Sequence, residues 1–460
     1  MIQDFFNFVI GLGGPALMFI VIFILSLVFG VKFSKAFEGG LSMAIALTGM
    51  SAIVSLLTSS FSPALNDFVE NTGINLSIPD LGWAPLAVIT WGSLYTVYFI
   101  FVAIVVNLIL LVFKRVNTLN VDLFNLWNVS LLGLVTNYYS KNLVVSSLFV
   151  AFIYFMILWN ADTMKNSVTD LLGYDEDNIS TSSHPLLLIA PVVMIFNKLI
   201  DLVFPKIDKY DFDAEILDKK IGFFGSKFAI GAYLGVFIGL LGQQQASEIF
   251  ALAFIGGTCL ELFATIGGWF GPAIEPLSNG IETMMGKRFR GRKLYIGLDW
   301  AILAARPEVW AVTNILAPIL LLIAVILPGN KILPLGGILL TVFTPALLVV
   351  TRGKVLRMTI IGTFLIPLFL WIATFMSEFF TKASESMNAL PDGIKSGEYF
   401  SSIDAVPIEK MLAVLIGTTV SDFQWQYLLY SILAIAVYLL LFKWYVNQMR
   451  KQDEKFKLAK

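Results

Sequence analysis

Long apolar runs alternate with short charged stretches along this chain, and the runs decide the fold. Ten stretches carry no Asp, Glu, Lys or Arg at all: 5–31, 39–66, 81–113, 142–161, 178–197, 228–247, 309–330, 332–351, 358–377 and 423–442. Each has the ~20 residues that a helix needs to cross a hydrocarbon core about 30 Å thick. The runs are continuously apolar, whereas barrel strands alternate in polarity over ~10 residues. The pattern predicts an all-α polytopic membrane protein with about eleven transmembrane helices. Two segments are too short or too broken for ordinary spans, 80–91 with Pro85 inside it and 296–305 with Asp299 inside it, and these predict two re-entrant hairpins.

Composition agrees with the pattern. Of the 460 residues, 57% are hydrophobic and 14% charged, against roughly 25% charged in a soluble domain, and the mean hydropathy is +0.82. A net charge of −1 argues against a nucleic-acid partner. The single cysteine, Cys259, excludes an intrachain disulfide framework and a CxxC redox or zinc site. The first apolar segment lacks a basic leader region and a small-residue cleavage site, so it reads as a retained span.

Charge in the loops gives an orientation. The segment 284–293 holds Lys287, Arg288, Arg290, Arg292 and Lys293 without an acid, and the tail 443–460 is mostly basic, so both are expected in the cytoplasm. Acid-rich 61–80 and 378–410 are expected outside, together with the N terminus. The interleaved acids and lysines of 198–227 read as a cytoplasmic linker with a short amphipathic helix. It separates a first half, 1–197, from a second, 228–442, all within one membrane domain; no soluble domain is expected.

The two broken segments share a small cluster, DLGW at 80–83 and GLDW at 297–300, one in each half. Interrupted segments at corresponding places in two halves point to a transporter's midplane site. Asp122, Asp162, Glu261, Asp299, Glu308 and Asp422 lie in or beside apolar surroundings, where ionisable groups are costly and mark function or pairing. Asp162 and Asp422 fall at span ends, where solvation accounts for them, and Asp122 suits a helix cap. Asp299 and Glu261 are hardest to place in water, as ligand-facing groups or as partners of neighbouring helices. His184, the only histidine, suits either a cap for the next span or a hydrogen bond to a polyhydroxylated ligand. Gln243, Gln244 and Gln245 suit a cavity neck or a span end. Trp83, Trp91 and Trp127 suit sugar stacking or the interfacial belt.

No phosphate-binding G-x-x-x-x-G-K-[ST], no HExxH and no nucleophilic triad is visible. The residues alone therefore read as a transporter for a small, uncharged polar solute with energy supplied from elsewhere. No cofactor and no metal are expected.

Five strings carry a family resemblance: NVDLFNLWN at 120–128, GAYLGVFIGLLG at 231–242, YIGLDWAILAA at 295–305, PGNKILPLGG at 328–337, and TRGKVLRMTIIG with LWIAT over 351–374. In this order the chain resembles the galactitol-type IIC permeases of the bacterial phosphotransferase system, a branch related to the ascorbate permeases. The resemblance implies a homodimer in the bacterial plasma membrane, with a transport core moving against a dimerisation domain. It implies delivery of a polyol or sugar to a separate IIB protein, which phosphorylates it with phosphate passed on by IIA. The permease is then not itself an enzyme, and 284–293 and 198–227 become candidate IIB docking surfaces. By position it implies substrate contacts from Thr90, Trp91, Asn125, Trp127, Asn128, Ser183, His184 and Asp299, whose paired donors and acceptors suit hydroxyl groups.

The chain departs from the family pattern at Asn128 and Arg306, where His is common, at Trp300, where Pro is common, and at Gln243 to Gln245, which replace a glycine-rich turn. These departures leave the choice among galactitol, another polyol and a sugar open. The competing readings are an ion-coupled secondary transporter using Asp299 or Glu261, and a non-transporting receptor.

Overall fold

The computed structural model describes residues 14–73, 76–91, 93–120, 126–173, 180–211, 214, 222–288, 294–338, 342–386, 390–391, 394–395, 397–404, 407–421 and 424–459. The first half contains α1 (Gly14–Val28), α2 (Phe33–Thr72), β1 (Ile78–Asp80), α3 (Ala84–Trp91), α4 (Leu94–Val112), β2 (Thr118–Asn120), α5 (Leu126–Ser140), α6 (Leu143–Leu172), β3 (Ser180–Ser182), a 3₁₀ turn (Pro185–Ile189) and α7 (Ala190–Val203). The second contains α8 (Lys227–Leu241), α9 (Ala246–Gly267), α10 (Phe270–Arg288), β4 (Tyr295–Leu298), a 3₁₀ turn (Trp300–Ala305), α11 (Pro307–Ile326), β5 (Ile332–Pro334), α12 (Thr344–Thr351), α13 (Val355–Ser386), α14 (Pro407–Ser421) and α15 (Trp425–Ala459).

Eight helical stretches among the described residues are long and apolar enough to cross a membrane, and Met18–Val28 and Lys227–Leu241 are shorter apolar helices. Large apolar side chains cover their outer faces, among them Phe101, Leu148, Phe364 and Leu440, the surface that acyl chains solvate. The chain is thus a polytopic helical membrane protein. One expected span dissolves: 332–351 holds a strand, turns and the eight-residue α12. Its buried β5 and α12 belong to the protein interior, so freedom from charge there reflects burial in protein and not contact with lipid.

Two expected outer loops also change character. The acids Asp67 and Glu70 sit in the last turns of α2, and Asp80 is fully buried in β1. Within 378–410, α13 continues to Ser386, and Glu409 and Lys410 are buried in the first turn of α14. The basic tail continues α15. In the linker, 3₁₀ turns cover Ile207–Tyr210 and Gly222–Gly225; residues 212–213 and 215–221 of the linker and 289–293 of the basic loop lie outside the described residues.

Helices α1, α2, α8, α9 and α10 pack mainly on one another. Close approach of α8 and α9 requires glycine, because a Cβ on Gly231 would stand 2.2 Å from the Gly256 carbonyl oxygen. Small residues of this kind let helices associate in a bilayer, where apolar burial between helices gives little drive. The remaining elements form a second group, joined to the first through α3, which touches both α1 and α2. Local sequence fixes the ends: Asn142 Oδ1 accepts the Val144 and Val145 N–H groups at 3.0 and 3.2 Å to start α6, and Gly173, at φ +67°, ends it.

Candidate substrate site

Two small parallel sheets organise the second group of elements. In one, β5 and Ser401 flank β1; in the other, β2 and β3 flank β4. Each therefore places a central strand from one half between two segments of the other half. The registers match: Ile78 faces Ile332 as Tyr295 faces Thr118, and Asp80 faces Ser401 as Gly297 faces Thr181. The hydrogen bonds repeat as well, Ile78 N–H to Lys331 O and Tyr295 N–H to Asn117 O. DLGW and GLDW are thus counterparts, with Trp83 equivalent to Trp300, Gly82 to Asp299 and Asp80 to Gly297. Continuing past the third segment, His184 is equivalent to Asp404.

The carboxyl end of the β1 sheet is closed by Asp80. Its Oδ1 accepts the Gly82 and Ile403 N–H groups at 3.1 and 3.0 Å, and its Oδ2 accepts the Gly337 N–H at 2.6 Å. At the other sheet, Ser183 Oγ donates to Asn120 Oδ1 at 2.7 Å, Asn120 Nδ2 donates to Tyr154 Oη at 2.8 Å, and Asn107 Oδ1 accepts the Asn120 N–H at 2.9 Å. These bonds tie the ends of β2 and β3 to α4 and α6. Asp162 is not a solvated span end: it accepts the Asn117 N–H and the Thr118 hydroxyl at 2.8 and 2.6 Å and clamps α6 to β2.

The two carboxyl ends meet. Trp83, beyond β1, stacks on Trp127 at the start of α5, with ring centroids 6.1 Å apart. Lys410 Nζ donates to Asn128 Oδ1 at 3.3 Å, and the Lys410 charge also acts on His184. Among the described residues, the indole N–H groups of Trp91 and Trp127 are buried without a hydrogen-bond partner, as are both carboxylate oxygens of Glu409 and Oδ1 of Asp404. Buried polar groups are normally paired; the same lack of a partner holds for the hydroxyls of Ser167, Thr169 and Ser384, so it is the junction of the two sheet ends that makes Trp127, Asn128 and His184 the candidate site.

His184 caps the 3₁₀ turn through Nδ1, which accepts the Leu186 N–H at 3.2 Å. Burial, and then the Lys410 ammonium, push the imidazole down to about 3, so it is neutral. Asp404 moves oppositely: burial and then the Asp80 carboxylate raise it to about 8 against a hydrogen bond from the Trp83 N–H.

Of the expected residues, Trp127, Asn128 and His184 come together here, and Trp91 lies buried at the end of α3. Trp91 and Trp127 are 1% and 3% exposed, which removes them from the interfacial belt. Thr90 donates its hydroxyl to Leu86 O at 2.7 Å, inside its own helix, and Ser183 donates its hydroxyl to Asn120. Asp299 follows β4 and opens the 3₁₀ turn, its main-chain carbonyl accepting the Ile302 N–H at 3.4 Å. Asn125, Asp122 and Asp422 lie outside the described residues. Glu261 is exposed on α9, in the first group of helices, and Glu308 pairs with Arg306. Gln244 bonds Asp67 and the Gly242 carbonyl at the turn after α8, as a span end.

Three polar residues of the site were missed from the sequence: Asp404, Glu409 and Lys410. The available signal was an adjacent Glu-Lys pair directly before the apolar MLAVLIG of 411–417.

Residues 8–393 match the family EIIC-GAT, described as the PTS system sugar-specific permease component. The galactitol-specific EIIC components of the phosphotransferase system from Escherichia coli K12 and O157:H7 are each 27% identical over 409 residues, covering 88% of both chains. A putative permease IIC component of Escherichia coli K12 is 27% identical over 421 residues, covering 90% of this chain and 94% of that protein. With apolar helices fit to cross a membrane and a match spanning most of its length, the chain belongs to the sugar-specific EIIC permease family of the phosphotransferase system.

Proposed function

We propose that this permease carries a galactitol-like polyol across the bacterial plasma membrane and presents it to a cytoplasmic IIB protein. IIB, charged through IIA, phosphorylates the polyol on release, and the permease supplies no chemistry of its own. One observation carries the choice of a neutral polyol: Trp127, Asn128 and a neutral His184 gather where the carboxyl ends of the two sheets meet, and the Trp127 indole N–H is buried there without a partner among the described residues. Such a site pairs with hydroxyls and rejects ligands that leave its groups unmatched. The relatives named as galactitol-specific support the same substrate class.

In this reading Thr90, Trp91, Asn125, Trp127, Asn128, Ser183, His184 and Asp299 form or support the substrate site. The segments 80–91 and 296–305 act as re-entrant pieces around it. The sheet-bearing group moves against α1, α2 and α8 to α10, which carry the dimer contact of a homodimer. The N terminus lies outside and the C terminus in the cytoplasm, with 198–227 and 284–293 on the IIB side.

Uptake of labelled galactitol and related polyols into membrane vesicles tests the reading, with and without phosphoenolpyruvate and the soluble carriers. Phosphorylated polyol accumulating only in their presence supports it. Uptake that follows an ion gradient and ignores phosphoenolpyruvate overturns it in favour of a secondary transporter. Within the same assay Asp299→Asn abolishes uptake while the protein stays folded; undiminished transport removes Asp299 from the site.

A further inference from the structure

We propose that Glu409 is the hydroxyl-accepting, specificity-determining residue of this site, and that with Lys410 it restricts the site to uncharged ligands bearing two adjacent hydroxyls. The proposal rests on the polyol reading above and names how that ligand is selected.

Glu409 is 1% exposed, and among the described residues no other residue hydrogen-bonds either carboxylate oxygen. An enclosed carboxylate is an acceptor with about four lone-pair sites, and leaving such a group unbonded is among the costlier states of a folded chain. Lys410, also 1% exposed, balances the charge, but its hydrogen bond goes to Asn128 and not to Glu409. The pair therefore cancels in charge while leaving the acceptors open. Neighbouring hydroxyls of a polyol, each donating one hydrogen, fill both oxygens of one carboxylate. Lys410, its neighbour in the chain, reaches Asn128 and supplies a donor for a hydroxyl oxygen.

The charge balance adds a filter. A ligand carrying a carboxylate or an ammonium would enter a buried pair that is already neutral and leave one charge uncompensated, which low-dielectric surroundings penalise. A hexonate or an amino sugar is excluded for this reason, whatever its hydroxyl pattern.

The test is equilibrium binding to the purified full-length permease, without phosphoenolpyruvate or IIB, using galactitol, its monodeoxy analogues and the corresponding hexonate. Wild-type protein is expected to lose about 10- to 100-fold in affinity when a hydroxyl facing the carboxylate is removed. In Glu409→Gln, galactitol weakens by a similar factor, that deoxy analogue suffers no further loss, and the hexonate gains about tenfold relative to galactitol. The double variant Glu409→Gln with Lys410→Met leaves no lone buried charge and supplies the answer where the single variant does not fold. Folded variants that discriminate the deoxy analogues as wild type does overturn the assignment of Glu409 and leave the polyol reading standing. A wild-type protein that binds no polyol overturns the polyol reading and this assignment with it.

Discussion

The two sheets share register and connectivity and differ at the centre of their carboxyl ends. At the β1 sheet stands Asp80, whose carboxylate gathers backbone N–H groups from Gly82, Gly337 and Ile403. At the β4 sheet the equivalent position is Gly297, where an added Cβ would lie 2.7 Å from Ser183 Oγ and 2.9 Å from Thr118 Cγ2. One end is knotted by a buried side chain that ties three loops; the other is bare backbone bordered by Asn120, Ser183 and His184. A duplicated framework has been put to two uses. The first end holds Trp83 and Asp404 in place, and the second presents neutral polar side chains beside them.

The comparison breaks most severely if the knot is copied to the wrong sheet. Gly297→Asp forces a side chain onto Ser183 and Thr118 and buries a carboxylate that has no backbone donors arranged for it. Overpacking together with an unpaired buried charge predicts a loss of about 5 kcal/mol. That is enough to abolish folded protein, read as failure to recover a monodisperse species in detergent. A well-folded Gly297→Asp protein with normal uptake would show that the bare end is not required.

Undoing the knot costs less. Asp80→Asn keeps the shape, but in either amide orientation the NH2 group faces at least one of the N–H donors that the carboxylate accepted. About 2 kcal/mol of stability is lost, seen as a lowered thermal unfolding midpoint. Because Asp80 acts on the loops and not on the ligand, polyol affinity of the folded variant stays within about twofold of wild type. An affinity loss larger than the stability loss would move Asp80 into the site.

The helical frame was legible in the sequence because a span must be uniformly apolar over ~20 residues, a demand that leaves an unmistakable trace. The DLGW and GLDW pair was legible too, as a local break repeated in each half. What the apolar runs concealed was burial inside protein. The run 332–351 is apolar because β5 and α12 lie in the interior, so it mimicked a span. Asp80, Glu409 and Lys410 were assigned to outer loops because charge in a membrane protein ordinarily marks a loop, and nothing local in the sequence announces the backbone donors or facing side chains that make a buried charge tolerable. Trp127 and Asn128 emerged because they stand in a recognisable string, NVDLFNLWN, and His184 because it is the only histidine and follows a run of hydroxyl residues. Asp404, in no such string, required the register of the two sheets, which is a property of pairing between distant segments.

The finest test of the comparison lies at the equivalent pair His184 and Asp404, which titrate in opposite senses. Asp404 is raised from 3.8 to about 8, so the folded chain holds this proton more tightly than the unfolded chain. Its stabilising contribution is complete below about pH 4 and disappears as pH rises through about 8. His184 is lowered from 6.5 to about 3, so the folded chain releases a proton that the unfolded chain keeps. Its contribution is complete above about pH 6.5 and declines as pH falls toward 3. Asp404→Asn is therefore expected to flatten the fall in unfolding midpoint between pH 5 and 9 by a few degrees, leaving the acid limb as in wild type. His184→Gln flattens the acid limb and leaves the alkaline one. Thermal unfolding of both variants across pH in one detergent reads the difference directly: parallel curves for wild type and Asp404→Asn would mean that Asp404 is ionised and solvated. The two halves would then not present a neutral pair of groups at the place where their sheets meet.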